Sequence, residues 1–218
     1  MHKKYKLYLF DLDGTTLDSD EMIRITMHEI YKAHKPSDFI VDDRKILNFS
    51  GPQISVSLKQ EFPEKDIEFL LSEWKKYSEK NYDKYVKLYP GTLELFKTLK
   101  EKNILFGVVT NKMRYATDYS YNLLGLADLH IFSVCADEVK NIKPNPEGIF
   151  KAMKHFGITD KNDVIYIGDS KYDYLTAKNA GINFGYVSWS PRKLEDGAKI
   201  DLIIEDYATF AEDFYEKD

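Results

Sequence analysis

The sequence is poor in the features that mark secreted, membrane-spanning and nucleic-acid-binding proteins. It has one cysteine, Cys135, so no internal disulfide can form, and no apolar stretch approaches the roughly 18 residues that span a bilayer. The N-terminus lacks the apolar region and cleavage site of a signal peptide. Its 31 basic and 36 acidic residues are interspersed, without the basic footprint of a nucleic-acid-binding protein. We therefore expect a soluble cytoplasmic protein with no nucleic-acid or membrane partner, and Cys135 as a core residue.

What the sequence does contain is an alternation of short apolar runs with helical patterns. The chain has 218 residues, 43% of them hydrophobic, enough for one sizeable domain or a core with a smaller insert. Six runs have the composition of buried parallel strands: Lys6–Phe10, Ile104–Val109, Ile131–Cys135, Val164–Ile167, Phe184–Val187 and Leu202–Ile204. Helical patterns lie between them at Leu93–Lys102, Arg114–Leu124, Glu147–Phe156 and Tyr172–Ala180. This alternation predicts an α/β fold with a doubly wound parallel sheet.

Residues 17–88 break the alternation, because their patterns are helical only. The predicted helices are Glu21–His34, Asp43–Asn48, Ile54–Phe62 and Asp66–Tyr82. We interpret this segment as an all-helical domain inserted after the first strand, with residues 1–16 and 89–218 forming the α/β core. Thr15–Ser19 and Lys84–Pro90 would be hinges that let the insert close over a site and exclude water.

Polar clusters follow the predicted strands at four places. Asp11 and Asp13 follow the first strand, Thr110-Asn111 the second, Lys143-Pro144 lie in the loop beyond the third, and Gly168-Asp169-Ser170 follow the fourth, with Asp173 shortly after. Parallel α/β sheets bind ligands beyond the carboxyl ends of their strands. We therefore expect the four clusters to meet at one edge of the sheet.

Such a meeting would bring together the carboxylates of Asp11, Asp13, Asp169 and Asp173. Two carboxylates about 4 Å apart repel by roughly 4 kcal/mol at an effective dielectric constant of 20, and Lys143 alone cannot balance four of them. Oxygen ligands without His or Cys favour Mg²⁺. We therefore predict Mg²⁺ as the cofactor.

With a cation bound, the remaining groups suit phosphoryl transfer on a small phosphorylated metabolite. Asp11, held at the strand end, could attack phosphorus, and Asp13 could protonate the leaving oxygen and then activate water. The hydroxyl and amide of Thr110-Asn111 and the ammonium of Lys143 could hold the phosphoryl oxygens.

Each motif alone has a simpler interpretation. Asp11–Gly14 could be a surface turn, although a calcium loop is excluded: with Gly14 at the sixth position, Leu9 would occupy the first. Asp169 or Ser170 could merely cap the following helix. The order of all four motifs at successive strand ends is what favours a catalytic site.

Three nearby residues receive no catalytic role from the pattern. Lys112 and Arg114 follow Thr110-Asn111 and could extend a positive pocket, but we interpret them as solvated surface charges, as exposed Lys and Arg usually are. Trp189 has two open interpretations, as a residue lining the entrance to the site and as an aromatic packed under a loop.

At these residues the sequence resembles the haloacid dehalogenase (HAD) superfamily of aspartyl-phosphate phosphohydrolases. Asp11–Thr15 is similar to its first motif, Thr110-Asn111 to its second, Lys143-Pro144 to its third, and Gly168–Ser170 with Asp173 to its fourth. The resemblance implies a Rossmann-like core and the following roles: Asp11 as nucleophile, Asp13 as general acid and base, Thr110, Asn111 and Lys143 as phosphate ligands, Mg²⁺ held by Asp11, Asp169 and the Asp13 backbone carbonyl, and Asp173 with Ser170 as supporting residues.

The position of the insert resembles that of the helical cap in the phosphoglycolate-phosphatase-like branch. Asn48–Gln53 is similar to the loop that determines substrate specificity there, which implies Ser50, Gly51 and Gln53 as specificity residues. Members of the branch commonly have Leu where this chain has Thr16 and Pro where it has Gln53, so phosphoglycolate, a nucleotide and a sugar phosphate all stay open as substrates.

The resemblance leaves several activities open beside hydrolysis of a phosphate monoester. The presence of Asp13 favours a phosphatase, but a sugar phosphomutase or an inorganic pyrophosphatase has the same fold and motifs. Outside enzymes, a phospho-aspartate signalling domain also has acidic strand ends with a Thr and a Lys, although it lacks an insert of about 70 residues. An inactive binding protein would not need the intact set of motifs. No feature of the sequence indicates the oligomeric state.

Overall fold

The computed structural model describes residues 4–215, which form an α/β core and a helical insert. The strands are β1 (Leu7–Phe10), β2 (Leu17–Asp18), β3 (Lys87–Leu88), β4 (Leu105–Val109), β5 (Ser133–Val134), β6 (Val164–Gly168), β7 (Asn183–Val187) and β8 (Leu202–Ile204). The helices are α1 (Asp20–His34), α2 (Asp43–Leu47), α3 (Ile54–Glu61), α4 (Ile67–Tyr85), α5 (Thr92–Glu101), α6 (Arg114–Leu123), α7 (Glu147–Phe156), α8 (Lys171–Ala180) and α9 (Tyr207–Glu212).

The six predicted core strands are confirmed as one parallel sheet in the order β5-β4-β1-β6-β7-β8. From β1 the chain builds β4 and β5 on one side and then crosses to β6, β7 and β8 on the other. The strand order therefore reverses at β1, whose carboxyl end is the expected ligand position of such a sheet. Phe10 pairs with Val108 of β4 and with Ile167 of β6, so the residues after these strands share one edge.

The central strand is buried on both faces, as its uninterrupted apolar sequence predicts. Tyr8 and Phe10 point into one core cluster, together with Phe96 and Tyr207, while Leu7 and Leu9 point into a second cluster on the other face. This alternation follows from the two-residue period of a strand. Because both faces are packed, the backbone that carries the following Asp11 is fixed in place.

The insert consists of α1–α4 and has an apolar core of its own. At its base, β2 and β3 pair antiparallel, with Leu17 opposite Leu88. The helical patterns did not indicate this pair, because strands of two residues are too short to show a period. The two chain passages between core and insert thus run side by side. A hydrogen bond of 2.6 Å between Tyr82 Oη and Ser120 Oγ joins the insert to the core.

Two further differences from the sequence prediction have local causes. The run Ile131–Cys135 forms a strand only at Ser133–Val134, where it pairs at the edge of the sheet with Val108 and Val109. Helix α9 was not predicted, since six residues are too few for a helical period; its N-cap is Asp206.

Cys135 is fully buried, as predicted. Within residues 4–215, no helix is long and apolar enough to cross a membrane.

Candidate active site

The loop after β1 turns sharply so that Asp11 stays at the strand end. Three consecutive amides, of Thr15, Thr16 and Leu17, donate to the carbonyl of Leu12 at 2.8–3.1 Å. Gly14 has φ +85°, and a Cβ there would lie 2.3 Å from Asp169 Oδ2, so glycine is required for conformation and for space. The buried hydroxyl of Thr16 donates to the carbonyl of Asp11 at 3.1 Å. Thr16, one of the two positions at which this chain differs from the phosphoglycolate-phosphatase-like pattern, thus stabilises the end of the strand.

Asp11 is buried beside Lys143, as the motif order predicts. Lys143 Nζ lies 2.8 Å from Asp11 Oδ1 and 2.6 Å from Asp173 Oδ1, and it donates to the hydroxyl of Tyr166 at 3.0 Å. The contact with Asp11 is an ion pair rather than a hydrogen bond, because Asp11 Oδ1 has no hydrogen-bond partner in the described part of the chain. One ammonium group is therefore shared between two carboxylates.

Asp173 is held more strongly than Asp11. Its Oδ2 accepts from the hydroxyl of Ser170 at 2.6 Å and from the backbone amides of Ser170 at 3.0 Å and Asp169 at 3.3 Å. Ser170 is also the N-cap of α8, so the capping interpretation of this motif is confirmed and coexists with a place in the site. Gly168 is required here, since a Cβ would lie 2.3 Å from the Asp173 side chain.

Asp13 lies apart from the other three carboxylates. Ligand atoms of Asp11, Asp169 and Asp173 lie within 4.8 Å of one another, whereas both carboxylate oxygens of Asp13 accept from Lys112 Nζ at 3.0 Å. The expectation that all four carboxylates cluster is therefore wrong, because Asp13 points to Lys112. Its backbone carbonyl is then the atom through which it could bind a cation.

The interpretation of Lys112 as a solvated charge is also wrong. Its side chain is 10% exposed, and the ring of Tyr82 from the insert lies 5.2 Å from its Nζ. Burial lowers the pKa of Lys112, but the negative charge of Asp13 outweighs burial and raises the pKa above its usual value, so the group stays an ammonium. Arg114 instead pairs with Glu138 and Asp118 outside the site.

Thr110 and Asn111 both lie at the strand edge, but in different roles. Thr110 Oγ1 accepts from the backbone amide of Lys112 at 3.2 Å. Asn111 Oδ1 accepts from the amide of Lys143 at 2.9 Å, and its Nδ2 donates to the carbonyl of Gly51 at 2.8 Å. The Asn111 side chain therefore fixes the Lys143 loop and holds the insert against the core.

The segment resembling a specificity loop lies directly over these residues. Gly51 closely approaches Tyr172 and Ser170 of the core, and Gln53 Nε2 lies 3.5 Å from Met113 Sδ. The Oγ of Ser50 is buried without a hydrogen-bond partner among residues 4–215. A cavity of about 930 Å³ extends from Gln53 along the loop 139–146 to Lys143. The insert is thus closed over the acidic site.

Arg192, which the motif analysis did not single out, is a third cation of the site. Its Nη1 donates to Asp169 Oδ2 at 2.6 Å, and its Nη2 pairs with Asp20. It lies in the loop after β7, at the same edge of the sheet, so the strand-end rule would have included it had the loop after the fifth strand been searched. Trp189 in the same loop packs between Tyr89 and Tyr207, which confirms its packed interpretation.

Comparison with known proteins identifies the family to which this fold belongs. A family model described as haloacid dehalogenase-like hydrolase matches residues 8–187, which include all four motifs. The chain belongs to this family. It is a capped phosphohydrolase of the HAD type, as the motifs predicted.

Relatives and solved structures of HAD proteins match over almost the whole chain. Pyrophosphatase PpaX of Halalkalibacterium halodurans is 33% identical over 184 residues, which cover 84% of each chain. The structure of a haloacid dehalogenase-like hydrolase from Bacteroides fragilis is 25% identical and covers 95% of this chain and 100% of its own, with a TM-score of 0.84. A predicted phosphoglycolate phosphatase from Haemophilus somnus 129PT, 21% identical, covers 96% of this chain and 98% of its own with a TM-score of 0.82, and shows the fold alone.

The charges at the HAD site leave a net negative balance. Five carboxylates face three cations: Asp11, Asp13, Asp20, Asp169 and Asp173 against Lys112, Lys143 and Arg192. Although Lys112 and Arg192 join Lys143 at the site, two negative charges remain uncompensated. The donors are oxygens only, and Asp11 Oδ1 is short of a hydrogen bond. This donor set fits Mg²⁺.

The same imbalance raises the pKa of two carboxylates. Burial raises the pKa of Asp11 to about 7, since Lys143 offsets only part of the desolvation and the charges of Asp173 and Asp169 add to it. Burial likewise raises the pKa of Asp169 to about 6 in spite of Arg192. For Asp173, Lys143 and the hydrogen bonds from Ser170 outweigh burial and lower the pKa. Without a further cation, Asp11 therefore keeps its proton to a higher pH than an ordinary aspartate does.

We expect Asp11 and Asp169 to destabilise the metal-free protein progressively as the pH rises from about 4 to 7. Over this range the two folded groups keep protons that the unfolded chain has released, so their contribution to the free energy of unfolding falls with pH. Groups with a lowered pKa, such as Asp173, contribute in the opposite direction, so the part due to Asp11 is measured by comparison with Asp11→Asn. Since one pKa unit corresponds to about 1.4 kcal/mol and the pKa of Asp11 is raised from 3.8 to about 7, Asp11→Asn should remove about 3 kcal/mol of the change between pH 4.5 and 7.5. Urea unfolding with EDTA at pH 4.5 and 7.5 measures both proteins.

Mg²⁺ provides the control for this prediction. At pH 7.5 the ion should stabilise the wild-type protein and have a much smaller effect on Asp11→Asn, whose neutral amide is a weaker ligand. Equal pH dependence of the two metal-free proteins would show that Asp11 does not carry an unbalanced charge.

Proposed function

We propose that the protein is a Mg²⁺-dependent phosphatase that hydrolyses a small phosphorylated metabolite through an aspartyl-phosphate intermediate. The observation that carries this proposal is the pairing of a buried Asp11 with Lys143, 2.8 Å apart, at the edge of the sheet and beneath the closed insert. Lys143 pairs with Oδ1 of Asp11, which leaves Oδ2 as the oxygen to act as the nucleophile.

In the first half-reaction, a carboxylate oxygen of Asp11 attacks phosphorus in line with the leaving group. The new bond joins Asp11 to phosphorus, and the bond from phosphorus to the leaving oxygen breaks. Asp13 gives its proton to that oxygen, so the leaving group departs as an alcohol or an acid. Lys143 and the Thr110 hydroxyl face the equatorial oxygens of the transferred group, where their donors are most effective.

In the second half-reaction, Asp13 takes a proton from water, and the water oxygen attacks phosphorus. The bond between Asp11 and phosphorus breaks, which regenerates the Asp11 carboxylate and releases inorganic phosphate. The closed insert excludes other water from the acyl phosphate. When bound by Asp11, Asp169 and the Asp13 backbone carbonyl, Mg²⁺ would neutralise charge on the phosphoryl oxygens.

A specific observation favours pyrophosphate as the first substrate to test. Lys112 lies 3.0 Å from both oxygens of Asp13, where the leaving group must receive its proton. A buried ammonium at this position stabilises a leaving group that is itself an anion, and a neutral alcohol gains nothing from it. Pyrophosphate, whose leaving group is phosphate, has this property, as has a phosphorylated hydroxy acid. The name of the related Pyrophosphatase PpaX supports the same choice.

We expect Asp11→Asn to lower kcat by about 10³-fold or more. The far-ultraviolet circular dichroism spectrum should stay unchanged. Phosphate release with Mg²⁺ from p-nitrophenyl phosphate and from an alkyl phosphate measures kcat. Asp13→Asn should lower the rate by about 10²–10⁴-fold on the alkyl phosphate and by less on p-nitrophenyl phosphate, whose leaving group needs no proton.

Two outcomes would contradict the assignment. If Asp11→Asn kept the turnover of the wild type, Asp11 would not be the nucleophile. Isomerisation of a sugar phosphate without release of phosphate would show a mutase instead.

Lys112→Gln tests the choice of substrate. Removing the ammonium should lower kcat/KM for pyrophosphate by about 10–100-fold, the usual cost of losing one charge-assisted contact, and change that for the alkyl phosphate, whose leaving group departs as a neutral alcohol, by less than about threefold. Lys140→Gln, in the exposed part of the cavity wall, is the matched control. Equal losses on both substrates would show that Lys112 supports Asp13 rather than the leaving group.

A further inference from the structure

Arg192 is the one described side chain that contacts both the acidic site and two separate parts of the insert. Its guanidinium, 4% exposed, donates through Nη1 to Asp169 Oδ2 at 2.6 Å and through Nε to the carbonyl of Leu47 at 2.8 Å, while Nη2 pairs with Asp20. Asp169 follows β6 of the core, whereas Asp20 begins α1 and Leu47 ends α2 of the insert. Three distant chain segments therefore meet on one planar group.

The loop that carries Arg192 is itself tied to Asp169. Ser190 Oγ donates to Asp169 at 3.1 Å and accepts the Arg192 backbone amide at 3.1 Å. The carbonyl of Arg192 accepts from the hydroxyl of Tyr186 at 2.6 Å. Because the backbone is fixed on the core side, the two contacts to Asp20 and Leu47 depend on where the insert lies.

We propose that Arg192 is a positioning residue that couples closure of the insert to the geometry of Asp169. With the insert closed, Asp20 and the Leu47 carbonyl set the plane of the guanidinium, which then holds Oδ2 of Asp169 and leaves the other oxygen for the site. With the insert open, both partners on the insert leave, so the plane of the guanidinium is no longer fixed and Asp169 is held by Ser190 and Thr15 of the core with a less restrained Arg192. This inference rests on the proposed function, in which Asp169 binds Mg²⁺.

The geometry of the contact explains why an arginine is needed. Its rigid fork presents donors in three directions at once, whereas a lysine offers a single nitrogen that can satisfy Asp169 without reaching Asp20 and Leu47. The coupling is also reciprocal: if closure strengthens Mg²⁺ binding by some factor, Mg²⁺ must favour closure by the same factor.

Asp20 gives the most direct test, because it contacts Arg192 and is not among the clustered carboxylates Asp11, Asp169 and Asp173. Since its substitution also removes one negative charge near the site, the control variant must remove a neighbouring negative charge as well. We expect Asp20→Ala to weaken the binding of Mg²⁺ alone by about 5–10-fold, at the lower end of typical coupling between sites, measured by titration calorimetry. Amide hydrogen exchange of metal-free protein at residues 48–53 should rise several-fold in the same variant. Arg192→Lys should show both effects.

Asp18→Ala is the matched control. Asp18 lies two residues away in the same passage to the insert and pairs with Lys87 rather than Arg192. Asp18→Ala should leave both the Mg²⁺ affinity and the exchange at residues 48–53 within about twofold of the wild type. A change of that size is smaller than the roughly fivefold lower limit of typical coupling between sites.

The outcomes separate this inference from the proposed function. If the wild-type protein does not bind Mg²⁺, the proposed function fails, and the exchange experiment still reports whether Asp20 holds the insert closed. If the wild type binds Mg²⁺ and Asp20→Ala binds it equally well, Arg192 is a structural ion pair and the coupling is refuted. Faster exchange without a change in Mg²⁺ affinity would refute it equally.

Discussion

The structure depends on a conflict between topology and electrostatics at one edge of the sheet. Parallel strands that reverse their order at β1 must place the residues after β1 and β6 side by side, and here those residues are carboxylates. The packing of both faces of β1 prevents Asp11 from turning to solvent. Repulsion is therefore built into the fold, and the surrounding cations and hydrogen bonds offset part of it.

The carboxylates that repel one another receive unequal numbers of hydrogen bonds, so one is held firmly and another stays free to react. Asp173 receives backbone and hydroxyl donors and remains a firm anchor for Lys143, while Asp11 receives the same ammonium without a hydrogen bond. Two chemically identical side chains thus have pKa values displaced in opposite directions by their surroundings. The weakly satisfied carboxylate is the one on the strand end, where a substrate phosphorus atom can reach it.

Much of this could be predicted from the sequence, because strand and helix periods and the rule for parallel sheets depend on local patterns. They located six strands, the insert and the edge at which Asp11, Lys143 and Asp169 meet. Side-chain direction could not be predicted in the same way. The pairing of Asp13 with Lys112 depends on Tyr82, which comes from the insert and covers the ammonium. No local pattern specifies where an inserted domain lies against its core.

The same reason explains why Arg192 has no signature in the sequence. Its three partners are 23, 145 and 172 residues away along the chain, and the two more distant ones, Leu47 and Asp20, lie in the insert. A charged side chain with 4% exposure would be costly to bury without those partners. The burial of Arg192 therefore depends on the position of the insert. Arg192 both offsets the charge of Asp169 and, in our proposal, responds when the insert moves.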